Sequence, residues 1–218
     1  MILVCSAWEK ETKYLDLCQD KFKIIHLGIG YLQAALNLQK FILKSKEGSV
    51  LIEKIYFLGT AGLVAMPDGT IPQQISSMPV FSVNKVSLTL PLSLKKQAYV
   101  PKAYPEFSLQ LLNNLNIADC LSSLEITSSS EFSREIGDLL VSRENAEIGV
   151  RQQCRTHILE NMELYGIAQV AQEFNISCSA ILGVTNKTDA NAHKDWSKNH
   201  KRVSKLLCRL FSLGNPRI

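Results

Sequence analysis

Apolar positions along the chain fall into two kinds of stretch. Short runs without helical period predict buried strands: Ile2-Leu3-Val4-Cys5, Phe22 to Leu27, Ile55-Tyr56-Phe57-Leu58 and Ile176 to Val184. Between them, apolar residues return at close to helical spacing. Leu32, Ala35, Leu36 and Ile42 do so in Tyr31 to Leu43. Ile167, Val170, Ala171 and Phe174 do so in Met162 to Phe174, and Trp196, Val203, Leu207 and Leu210 in Asp195 to Leu210. Ser6 suits the cap of a Lys- and Glu-rich helix from Ala7 to Leu17. Phe107 to Leu115 predicts another helix, and Leu124-Glu125-Ile126-Thr127 a short strand. Ile71 to Val83 reads as extended, with Pro72 and Pro79 at irregular edges. Lys85 to Pro105 reads as a long loop or antiparallel excursion. Strands alternating with helices predict an α/β domain with a largely parallel sheet.

Composition narrows the class. The 218 residues suit one domain spanning 1–218, and 46% hydrophobic residues with 20% charged fit an ordinary globular core. The net charge of +4 is mild, and its concentration from Lys187 to Arg209 reads as a solvated helix face, so no nucleic-acid partner is expected. No apolar run is long enough to span a membrane, and Met1 to Cys5 is too short for a signal-peptide core. The six cysteines form no CxxC pair and the four histidines show no ligand spacing. No metal, cofactor or disulfide framework is expected, and the reducing cytoplasm is the expected location.

Chemistry gathers where strands end, because ligands in open α/β sheets sit at the carboxyl ends of strands. Those ends supply Ser6, Gly28 and Gly30, Gly59 to Gly62, and Thr185 with Asn186. Gly28-Ile29-Gly30 lacks the third glycine of a dinucleotide fingerprint, so it is no NAD site. From Leu159 to Trp196, a carboxylate at a helix start (Glu163) and an amide at a strand end (Asn186) are placed to share one pocket. Sugar hydroxyls need an acceptor such as a carboxylate, and a planar base needs a group that both donates and accepts. The pairing suggests a nucleoside-binding enzyme.

Read together and in order, these segments resemble the nucleoside phosphorylase/nucleosidase superfamily, closest to the methylthioadenosine/S-adenosylhomocysteine nucleosidase and futalosine hydrolase branch. Ala7-Trp8-Glu9-Lys10-Glu11 looks like its opening Ala-Met-Glu-x-Glu. Gly28-Ile29-Gly30 before Ala34-Ala35 looks like its Gly-x-Gly before a helix, and Gly59-Thr60-Ala61-Gly62 like its Gly-Ser/Thr-Ala-Gly. Met162-Glu163 with Gly166-Ile167-Ala168, then Val184-Thr185-Asn186, look like its Glu-Met-Glu helix and Ile-Ser-Asp/Asn strand end. The resemblance implies a three-layer α/β/α fold around a mixed, largely parallel sheet, a homodimer, and a purine nucleoside as the small-molecule partner.

The resemblance also implies roles. Glu11 matches the carboxylate that activates the attacking water, and Thr60 lies beside that water or the ribose. Met162 and Glu163 match the ribose clamp, Phe132 the ring that stacks on the base, and Asn186 the residue at the purine's six-membered edge and N7. Thr185 joins the substrate-binding set through the strand-end motif. Adenine-specific nucleosidases carry Asp where Asn186 stands. An amide donates to O6 of a 6-oxopurine, which favours futalosine or inosine over an adenine nucleoside. Asn161 replaces the first Glu of Glu-Met-Glu, and Gly183 falls where relatives often carry Arg. Both departures bear on how Glu163 is ordered. Glu9 and Glu11 would repel phosphate, so hydrolysis is expected over phosphorolysis. A phosphorylase and a catalytically degenerate nucleoside-binding protein stay open as alternatives. Taken singly, Glu11 reads as an exposed helix charge, Phe132, Trp196 and Leu207 as core, and His193 as surface.

Overall fold

The computed structural model describes residues 1–15, 22–64, 79–88, 104–138 and 157–214. Expectations for 71–78, 89–103, Leu17, Cys18 and Cys154 fall outside them. Eight strands are described: β1 (Ile2–Ser6), β2 (Phe22–His26), β3 (Lys54–Leu63), β4 (Val80–Leu88), β5 (Phe107–Ser108), β6 (Asn116–Ser122), β7 (His157–Glu160) and β8 (Ser177–Lys187). The helices are α1 (Glu9–Thr12), α2 (Tyr31–Glu47), α3 (Leu164–Glu173) and α4 (Ala192–Gly214), with a further helical stretch at 130–138.

Helices cover both faces of the β1–β3 part of the sheet, as alternate side chains dictate. Leu3, Cys5, Ile55 and Phe57 pack with Ala34, Leu38 and Ile42 of α2 and Leu164 and Ile167 of α3. Their strand neighbours Val4, Tyr56 and Leu58 pack the other way, with Leu207 and Phe211 of α4.

The fold is mixed α/β, as expected, but the sheet is not a plain middle layer. β1 pairs β2 and β3 in parallel, and β3 pairs β8 in parallel. β8 turns antiparallel against β4, β4 and β6 run parallel, as do β6 and β7, and β7 returns antiparallel to β3. β3, β8, β4, β6 and β7 therefore form a closed ring. Closure is possible because β3 changes neighbours along one edge, meeting β1 up to Phe57 and β7 at Gly62 and Leu63.

Several local expectations are corrected. Phe107 to Leu115 is not a helix. After β5 its backbone donors go outward, from Leu109 to the Asn84 carbonyl, Gln110 to the Cys178 carbonyl and Leu112 to the Ser82 hydroxyl. Leu124 to Thr127 is irregular, and the strand lies earlier, at Asn116–Ser122, where β4 and β7 supply partners on both sides. Residues 85–88, expected in a long loop or antiparallel excursion, belong to β4, which pairs β5 antiparallel at Lys85 and Val86. Among the described residues of the first expected helix, only Glu9–Thr12 is helical. β3 and β8 run past Leu58 and Val184, so Gly59 to Gly62 and Thr185-Asn186 lie inside paired strands.

The described cysteines Cys5, Cys120, Cys178 and Cys208 are buried free thiols. Among the described residues no cluster of His, Cys, Asp or Glu could hold a metal ion, and no helix is long and apolar enough to cross a membrane.

Candidate active site

Glu11 follows β1 on the single turn α1 and is buried, not an exposed helix charge. A glutamate at the third helical position reaches back to amides at the helix start. Here Oε2 accepts from the amides of Ala7 and Trp8, at 3.1 and 3.3 Å. Oε1 accepts from the amide and the hydroxyl of Thr60, at 2.8 and 2.9 Å. Burial pushes the carboxyl above the usual carboxylate range, and the donors from Thr60, Trp8 and Ala7 pull against that rise.

Glu163 stands at the start of α3, also buried. Gly28 and Gly30 both have positive φ, at 87° and 89°, a turn that suits glycine. The Gly30 amide reaches Glu163 Oε1 at 2.9 Å. Asn161 Nδ2 reaches Oε2 at 3.1 Å and also donates to the Thr60 carbonyl. The Asn161 Oδ1 accepts the amides of Glu163 and Leu164, at 3.0 and 2.9 Å, so this side chain caps α3. Burial raises the Glu163 carboxyl from 4.5 to about 7, opposed by the Gly30 amide and helped by the negative charge of Glu11. Asn161 thus orders Glu163.

Gly183 is explained by packing: a Cβ there would lie 2.3 Å from Val203 Cγ1 of α4, so the position faces a helix. A register shift follows. Ala61 pairs with Val184 and Gly62 with Asn186, leaving Thr185 as the extra residue of a bulge. Bulges re-aim side chains beside sites. Thr185 Oγ1 is 2.8 Å from Asn186 Oδ1, Asn186 Nδ2 donates to the Lys187 carbonyl, and Asn199 of α4 fixes the Thr185 carbonyl.

These elements surround one cavity of about 370 Å³, a size that suits a small ligand. Glu11, Thr60, Met162, Glu163, Thr185 and Asn186 all line it. Phe132 does not. It is partly buried against the cluster of Val64, Leu121, Ile136 and Ile158, and Ile126 lines the cavity instead. Glu160, Trp8 and Ile29, not expected at the site, also line it, as does Trp196, expected in the core. Glu160 carries a weak signal, a carboxylate directly after the apolar pair Ile158-Leu159. Trp196 Nε1 donates to Thr60 Oγ1 at 3.3 Å, and its ring stacks on His200 and His193. His193, exposed as expected, borders the cavity. No lysine or arginine lines it among the described residues.

Residues 125–212 match the model of the phosphorylase superfamily. That is the resemblance its motifs carry. No curated protein matches the chain. Solved structures do. A mutant futalosine hydrolase from Helicobacter pylori superposes with a TM-score of 0.71 at 14% identity, covering 98% of this chain and 97% of that one. A 5′-methylthioadenosine/S-adenosylhomocysteine nucleosidase from Helicobacter pylori gives 0.70 at 13%, covering 98% and 96%. A putative nucleosidase of the same kind from Borrelia burgdorferi, bound to adenine, gives 0.68 at 19%, covering 98% of each. At these identities the likeness is one of fold.

Proposed function

We propose that the chain is a nucleosidase, a purine-nucleoside N-ribosyl hydrolase working as a single domain over residues 1–218, with a 6-oxopurine nucleoside such as futalosine or inosine as substrate. One observation carries this reading: two buried carboxylates, Glu11 and Glu163, and the amide of Asn186 line one cavity that has no cationic side chain of Lys or Arg among its described residues. The superfamily match and the nucleosidase fold support it.

In this reading Glu11, ionised, takes a proton from water as the oxygen attacks the anomeric carbon, the water displacing the longest of its four donors, the Trp8 amide at 3.3 Å. The bond from sugar to base breaks, and its electron pair leaves with the purine. Such reactions pass through an oxocarbenium-like state, which a nearby carboxylate stabilises. Glu163 accepts from ribose hydroxyls with Met162 against the sugar. After its bonds to Lys187 and Thr185, Asn186 keeps one N–H to give to O6 and one lone pair to accept from a protonated N7. No metal or organic cofactor takes part.

A cytoplasmic homodimer belongs to the same reading. Leu32, Leu36 and Leu43 are exposed along one stripe of α2, and exposed Ile29 borders the cavity, which supports a second copy covering this face. Sedimentation measures that state.

The enzymatic test is release of free base from futalosine, inosine and methylthioadenosine, with and without phosphate. Hydrolysis yields reducing sugar without phosphate, and Glu11→Gln lowers kcat by about a hundred- to ten-thousand-fold. Release only with phosphate would make the protein a phosphorylase. Turnover of none of the three, with Glu11→Gln indistinguishable from wild type, would sink the enzyme reading.

A further inference from the structure

Three residues stand side by side across three neighbouring strands. Gly62 of β3 pairs with Glu160 of β7 on one side and with Asn186 of β8 on the other. All three line the cavity. A Cβ on Gly62 would lie 3.1 Å from Asn186 Nδ2 and 3.9 Å from Glu160 Cβ, so the two side chains flank the space that the glycine leaves open. Two strand spacings separate their backbones by about 10 Å. A planar ring seated over Gly62, in the space no side chain fills, meets Asn186 on one side and Glu160 on the other.

We infer that Glu160 reads the edge of the base opposite to Asn186 and selects a purine that carries a proton on N1. This rests on the nucleosidase reading and on Asn186 as the residue at O6 and N7. The Glu160 carboxylate accepts the Thr127 amide at 3.1 Å on Oε2 and the Thr127 hydroxyl on Oε1, while the neighbouring Ser123 hydroxyl gives its proton to the Glu125 carbonyl. Two donors leave about two of the four lone-pair sites of a carboxylate unfilled, one on each oxygen. A ring N–H fits such a site. A 6-oxopurine offers N1–H there, and a charge-assisted bond of this kind is about twice as strong as a neutral one. A 6-aminopurine instead turns the N1 lone pair toward the carboxylate, and such a mismatch of buried polar groups discriminates strongly. Burial holds the Glu160 carboxyl above the usual range, so on acidification the acceptor is lost earlier than from an exposed glutamate.

Free bases test this without depending on the 5′ group of the nucleoside. Calorimetry of the full chain with hypoxanthine, 1-methylhypoxanthine and adenine should give hypoxanthine at least tenfold tighter than either of the others. Glu160→Gln should narrow that preference by about tenfold while leaving adenine no weaker. Thr127→Val, which removes a donor from Glu160 and keeps the carboxylate, should retain the preference. If Glu160 merely holds the 123–127 segment, Glu160→Gln weakens all three bases alike, and the inference falls. It also falls if methylation of N1 has no effect, or if none of the bases binds. Discrimination in binding without hydrolysis of any nucleoside would instead overturn the catalytic reading and leave Glu160 as the base reader.

Discussion

The amide of Asn161 works in two directions around Glu163. Its oxygen caps the first amides of α3, and its nitrogen holds the Glu163 carboxylate at 3.1 Å. One side chain thus sets both the helix start and the orientation of the acid on it. Asn161→Ala removes the cap and strands buried donors, so it should lower stability by about 2 kcal/mol, read from the denaturant midpoint. It should also raise KM more than it lowers kcat. Asn161→Asp keeps a capping oxygen but sets a like charge beside Glu163, so it should recover much of the stability and little of the substrate affinity.

Glu163 should make stability depend on pH. The folded carboxyl titrates at about 7 against an ordinary 4.5. Between those values the native state holds a proton that the unfolded chain releases, so stability falls as pH rises across the window. The raised carboxyl contributes fully below pH 4.5 and has lost its contribution above about 7, a change on the order of 3 kcal/mol. Urea denaturation of wild type and Glu163→Gln between pH 4.5 and 8 should give a clearly shallower decline for the variant. Parallel curves would contradict the assignment.

Trp196 should tune the proposed base through Thr60. Its indole N–H donates to the Thr60 hydroxyl at 3.3 Å, which commits that hydroxyl's own proton to Glu11 at 2.9 Å. Trp196→Phe keeps a ring beside His200 and loses the N–H. Glu11 then loses support for its ionised form, and the acid limb of the kcat/KM profile should move to higher pH. An unmoved limb with a uniformly lower rate would assign Trp196 to packing alone.

Gly183 should resist any side chain. Ala there sets a Cβ 2.3 Å from Val203 Cγ1, so Gly183→Ala should lower stability by about 1–3 kcal/mol in thermal unfolding. Gly183→Arg should be worse still and restore no contact to Glu163. Gly183→Ala paired with Val203→Ala should recover part of the loss, because the second change removes the clashing methyl.

Much of the chemistry is legible in the chain itself. Residues on the two faces of the β1–β3 sheet alternate as apolar runs must. The motifs that carry Glu11, Thr60, Glu163 and Asn186 stand in an order that already suggests one pocket. Elements stabilised by partners remote in sequence leave a weaker trace. β6 contains Asn116 and Asp119 and is a strand because β4 and β7 supply its ladder, whereas Phe107 to Leu115 has a helix-like pattern but sends its donors to β4 and β8.

The sequence alone determined the alternation of strands and helices, the family resemblance, and five of the polar residues of the cavity, Glu11, Thr60, Glu163, Thr185 and Asn186, because local hydrophobic period and short motifs encode them. Only the tertiary structure decided that the sheet closes on itself, that Phe132 packs away from the cavity and that Asn161 orders Glu163. It alone brought Glu160 level with Asn186 across Gly62. The physical reason is register. The Gly30 amide meets a carboxylate 133 residues away, and which amide faces which acid at such a range is fixed by strand pairing and helix packing. The local pattern shows that each segment is a strand or a helix; the pairing of distant backbones sets which side chains share a cavity.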